Sequence, residues 1–100
     1  MQQLLKQAEQ MSKKMLQVKE EIAKKQTSAK SGGGVVEAVV NGKYELVSLN
    51  IKPEVVADGD VKMLQDLVMA AINEAQREMQ KTVEKEMQAA TGGMNLPGMF

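Results

Sequence analysis

Met1, Leu4, Ala8, Met11, Met15, Val18 and Ile22 recur at alternating intervals of three and four residues, an apolar seam sustained for about three heptads of helix. A seam of this kind is buried against another helix, so the start of the chain predicts a long α-helix with a partner. A second stretch strengthens the demand. Val61, Met63, Leu64, Leu67, Val68, Met69, Ala70, Ala71 and Ile72 are apolar nearly all round a helix, more than one small sheet covers. Beyond Asn73 the pattern narrows to Ala75, Met79, Val83, Met87 and Ala90, a stripe suited to one neighbouring helix. A chain of 100 residues has a thin core, burying only roughly 60–65% of the surface its unfolded form exposes. Two aromatics, Tyr44 and Phe100, add little bulk, and nine methionines supply flexible apolar volume instead. A second copy of the chain is therefore the expected cover, with Leu64, Leu67, Val68, Ala71 and Ile72 at the dimer interface.

Between the helices the pattern changes to that of a small sheet. The first helix is expected over 2–25, supported by Glu9–Lys13, Glu20–Lys24 and Glu21–Lys25 pairs in the favourable order. A short edge strand is expected over about 26–30, before Ser31-Gly-Gly-Gly34 turns the chain. Val35-Val-Glu-Ala-Val-Val40 is β-branched and too short for a helix of its own, which gives a strand over 34–41. Asn41-Gly42 signals a two-residue hairpin into a strand over 43–52, where Val47, Leu49 and Ile51 alternate with Ser48, Asn50 and Lys52, one face buried and one wet. Pro53 closes that strand. The second long helix is expected over 60–90, capped by Asp58 or Asp60. Residues 91–100, with their Gly and Pro, are expected to form a flexible tail. The fold class is thus α+β, a small antiparallel meander flanked by two long helices.

Composition argues against catalysis. Without His or Cys the usual general base and the usual soft nucleophile are missing, and no thiolate metal site or disulfide is available. Asp58-Gly-Asp60 lacks the remaining ligands of a calcium loop, and Gly32-Gly-Gly34 precedes a strand rather than a phosphate-cradling helix. No cofactor, metal or small-molecule substrate is expected. No apolar run approaches the roughly 18 residues that span a bilayer, nor does the N-terminus carry a signal-peptide core, so a soluble cytoplasmic chain is expected.

The net charge of zero conceals an asymmetry. Residues 1–31 hold seven Lys against three Glu, residues 32–60 two Lys against five acids, and residues 61–100 four bases against five acids. Lys6, Lys13 and Lys24 fall within about 20° of one another around a helix, with Lys14 and Lys25 bordering that face. Arg77, Lys81 and Lys85 form a second row at i,i+4, with Glu74, Glu78 and Glu84 nearby to neutralise it. By charge alone such rows suit either a solvated surface or phosphate binding. Two aromatics cannot make the stacking platform of a single-strand binder.

Taken in order, Leu4-Leu-Lys-Gln-Ala-Glu-Gln-Met11, Gly32-Gly-Gly-Val-Val-Glu-Ala-Val-Val-Asn-Gly42, Leu49-Asn-Ile-Lys-Pro-Glu54, Met63-Leu-Gln-Asp-Leu-Val68 and Gly93-Met-Asn-Leu-Pro-Gly-Met99 resemble the YbaB/EbfC family of bacterial nucleoid-associated proteins. The resemblance spans nearly the whole chain. It implies one domain over 1–90, an α-β(3)-α protomer, and a tight homodimer whose helices project like tweezers onto double-stranded DNA in the nucleoid. The family's contacts are attributed to its helical arms, which on this chain carry Lys6, Lys13, Lys14, Lys24, Lys25, Arg77, Lys81 and Lys85. Binding through phosphates with little sequence preference, with possible effects on nucleoid organisation and gene expression, is the expected function. The alternative is a protein-interaction adaptor that docks a partner through the heptad seam or the C-terminal tail.

Overall fold

A computed structural model of the protein describes residues 2–90. The elements are α1 (Gln2–Lys24), β1 (Gln26–Ser31), β2 (Val36–Asn41), β3 (Leu46–Ile51), α2 (Pro53–Ala57) and α3 (Val61–Ala90). The α-β(3)-α order is the expected one, with one addition, the short α2, whose first residue is Pro53. Proline both ends β3 and starts that turn of helix, because its fixed φ suits the first helical position, where no N–H partner is needed. Asp60 is the residue that caps α3, accepting a hydrogen bond from the Met63 N–H at 3.0 Å. Met1, and the expected tail over 91–100, lie outside the described residues.

The strands form an antiparallel meander in the order β1-β2-β3. On β2 burial alternates, with Val36, Ala38 and Val40 fully buried on the face that meets α3. Val36, Ala38, Val40, Ala71, Ala75 and Met79, each at 0% exposure, make the centre of the core. Alanine on both sides brings the α3 and sheet backbones close, which allows two side chains of β1 to reach the helix main chain. Thr27 donates through Oγ1 to the Ala75 carbonyl at 2.9 Å, and Ser31 through Oγ to the Leu67 carbonyl at 2.6 Å. The spacing fits: four strand residues rise about 13 Å and eight helical residues about 12 Å.

The sequence expectations need correction at four places. The β2–β3 connection is not a two-residue hairpin. The Tyr44 N–H bonds to the Asn41 carbonyl at 2.9 Å, the Asn41 N–H to the Glu45 carbonyl at 3.0 Å, and Tyr44 itself takes φ 63°, the three-residue loop with a left-handed third position. Asn41 Oδ1 accepts from the Lys43 and Glu45 N–H groups and pins the loop. The expected alternation on β3 also fails, because the register shifts between Val39 and Val40: Ser48 faces Val39 and Leu46 faces Val40, leaving Val47 as a bulge. Leu46, Leu49 and Ile51 therefore share the inner face, but α3 packs over β1 and β2, so Leu46 and Leu49 stay 44% and 39% exposed.

The other two corrections concern the helices. None of the expected pairs Glu9–Lys13, Glu20–Lys24 and Glu21–Lys25 forms; Lys25 instead reaches Glu86 on α3 at 2.8 Å, tying the foot of α1 to the distal part of α3. The α1 seam finds its helix partner within the same chain, since α1 packs on α3 and buries Ile22 while Met15 and Val18 are half-buried. Leu4, at 70% exposure, and Met11, at 44%, remain uncovered. Ala71, expected at a dimer interface, is wholly buried against the chain's own sheet; Leu64, Leu67, Val68 and Ile72 pack against the same core and are half-buried.

Candidate nucleic-acid interface

The exposed cations divide into two sets according to what faces them. On α1, Lys6, Lys13, Lys14 and Lys24 are exposed, and none has an ion-pair partner among the described residues. On α3, Arg77 donates to Glu74 Oε2 through Nη2 at 2.7 Å and Nε at 3.1 Å, and Lys81 lies 3.6 Å from Glu78. Lys25 is paired with Glu86. Lys85 is exposed with no carboxylate partner among the described residues.

On α3 Arg77 and Lys81 each close on the acid three residues before, whereas on α1 Glu21, at the same offset from Lys24, makes no ion pair among the described residues. The Arg77 hydrogen bond, and then its charge, hold the Glu74 carboxyl below the ordinary glutamate range. A phosphate approaching Arg77 must displace a bound carboxylate, whereas one approaching Lys13 displaces only water and counterions.

The α1 face carrying Lys6, Lys13 and Lys24 extends over roughly 27 Å. The chain measures 68 × 21 × 16 Å, and its radius of gyration of 18.8 Å exceeds the ~13 Å of a compact chain of this length, as expected for two long helices on a small sheet. A limb of this shape can lie along a duplex. No aromatic side chain stands among these lysines to stack on bases.

Two lysines outside the expected set belong to the same region. Lys19 lies near the foot of α1, and Lys43 is carried to it by the β2–β3 turn, which seats Gly42 against the Ile22 carbonyl. Lys43 could have been suspected from its place just after Asn41-Gly42, at a turn tip. Its meeting with α1 spans about twenty residues of chain and has no local signal. Among the described residues no group of acids is arranged to hold a metal ion, and no helix is long and apolar enough to cross a membrane.

Comparison with known proteins agrees over the length of the chain. Residues 1–94 match the model of the YbaB/EbfC DNA-binding family. A nucleoid-associated protein of Caldanaerobacter subterraneus subsp. tengcongensis is 48% identical over 97 residues, 97% of this chain and 87% of that protein. Another, from Desulforamulus reducens, is 45% identical over 100 residues, covering 100% of this chain and 95% of the relative. The crystal structure of an uncharacterized Helicobacter pylori protein superposes with a TM-score of 0.80 at 27% identity, covering 92% of this chain and 97% of that one.

Proposed function

The chain belongs to the YbaB/EbfC DNA-binding family, and from that membership we propose a nucleoid-associated protein that grips double-stranded DNA as a homodimer, chiefly through phosphates. The observation that carries the phosphate reading is the row of unpaired ammonium groups on a projecting helix, Lys6, Lys13, Lys14 and Lys24, joined by Lys85 on α3. Lys25, Arg77 and Lys81, each engaged with a carboxylate, contribute secondarily. With about four to six phosphates engaged, log affinity falls against log salt with a slope near −4 to −5. A random-sequence duplex titrated by fluorescence anisotropy at several salt concentrations checks this. A flat response sinks it.

The dimer reading rests on surface left open. The protomer exposes 7369 Å², where a compact monomer of its 10.9 kDa exposes about 5,600 Å². Part of the exposed apolar surface is carried by β3 and α3. Leu46 and Leu49 on β3 and Val61 and Met69 on α3 are 39–65% exposed, beside the half-buried Val68 and Ile72. A second copy seated on that surface covers it and brings two lysine-bearing arms into one object, the tweezer-like arrangement. Alanine at Lys13, Lys14 and Lys24 is expected to weaken DNA binding while the mass in solution stays that of the dimer. Effects on nucleoid organisation and gene expression follow from occupancy of DNA in the cell, and a fluorescent fusion that stays diffuse rather than following the nucleoid would argue against them.

A further inference from the structure

Three ammonium groups from two distant segments converge where α1 meets the sheet. Lys19 and Lys24 come from α1 and Lys43 from the β2–β3 turn; all three line one groove of about 570 Å³ between Leu16, Ala23 and Asn41. The meeting is built into the backbone, since only the absence of a side chain at Gly42 lets the turn press against the Ile22 carbonyl and Ala23 nitrogen. Lys43 therefore rides on a seated turn. The groove's carboxylates, Glu20 and Glu45, leave the lysines unsatisfied: Glu45 accepts a hydrogen bond from Asn41 Nδ2 at 3.2 Å, and neither acid pairs with an ammonium among the described residues.

Tyr44 adds a second, independent oddity. It holds φ 63°, a conformation glycine takes at lower cost, and it lines the adjoining cleft of about 480 Å³ together with Lys19, Gly42 and Lys43. It is 42% exposed, and its hydroxyl has no partner among the described residues. An exposed aromatic kept at a strained turn beside unpaired cations marks a surface with a task. Lys24 is also the lowest member of the Lys6–Lys13–Lys24 row, so Lys43, beside it in the groove, prolongs that row from the arm to the body of the protein, with Lys19 joining from a neighbouring face of α1.

We propose that the groove between α1 and the β2–β3 turn is a phosphate site for the DNA backbone, in which Lys19, Lys24 and Lys43 meet phosphates and the Tyr44 hydroxyl donates to one of them. The inference rests on the DNA-binding reading above and adds a contact at the base of the arm. Because a lysine releases condensed counterions and a neutral hydroxyl does not, the two kinds of contact leave different signatures in salt dependence.

The test is anisotropy titration of a random-sequence duplex across a range of salt, with K19A/K43A, K19R/K43R, Y44F and, as the distal-arm comparison, K6A/K13A. Each variant is checked against wild type for thermal melting and mass in solution. K19A/K43A is expected to flatten the log–log slope by about two units and to weaken binding roughly 60-fold at 0.1 M salt, while K19R/K43R keeps the wild-type slope. Y44F is expected to lose affinity several-fold with the slope unchanged. If K6A/K13A weakens binding while K19A/K43A matches wild type, the groove is not a phosphate site and the DNA reading stands without it. Absence of salt-dependent binding by the wild-type protein removes both.

Discussion

At position 42 an added methyl group would run into the Ile22 carbonyl oxygen, which belongs to the backbone of α1 and cannot swing away as a side chain would. Gly42 is thus required for close approach, while the positive φ of this turn belongs to Tyr44. Gly42→Ala should cost ~1–3 kcal/mol, the range for overpacking a site that cannot relax, read as a lower urea midpoint with unchanged slope. Gly59, at φ 73° with open space where a side chain would stand, is the useful contrast: its alanine variant meets backbone strain alone, about 1 kcal/mol. A Gly42→Ala protein as stable as wild type would mean that the turn is not seated on α1 in solution.

The β1–α3 contact shows how an element of mostly polar sequence earns its place in a core. Gln26-Thr-Ser-Ala-Lys-Ser31 has little to bury except Ala29, and its attachment comes from the Thr27 and Ser31 hydroxyls on α3 carbonyls that sit two helical turns apart. Those carbonyls lie within α3, so the hydroxyls use their spare acceptor capacity. Thr27→Val and Ser31→Ala should each cost about 0.5–1.5 kcal/mol. Because both bonds cross the same strand–helix contact, the double variant should loosen β1 as a unit. Amide exchange checks this: protection is expected to fall along β1 before the Val36–Val40 strand is affected. Uniform loss across the sheet would instead mean that β1 and β2 open together.

For the whole molecule, the decisive feature is that α3 crosses two strands of three. That leaves the inner face of β3 without a helix, although the register places Leu46, Leu49 and Ile51 on the side of the core. If a second copy covers this surface, Leu49→Lys should produce a smaller species in sedimentation at micromolar protein. DNA affinity should then drop even though the substitution adds a positive charge, since two tethered arms bind with an effective concentration that a single arm lacks. Wild-type mass and tighter DNA binding in Leu49→Lys would remove the proposed interface.

The helix seams, the β-branched segment around Val35–Val40 and the breaks at Ser31–Gly34 and Pro53 were legible in the residues, because helical and strand periodicity and the chemistry of Gly and Pro act over a few neighbours. Also legible was the excess of Lys on the first helix, as a count. Which lysines are free was not: that depends on Glu74 and Glu78 closing on their own helix while Lys25 crosses to Glu86. Nor could periodicity tell that α3 would take up the lower part of the α1 seam, that a bulge at Val47 would turn Leu46 inward, or that Lys43 would meet Lys19 and Lys24. Each of these is settled by pairing between segments far apart in the chain, where the packing of whole surfaces outweighs any local preference.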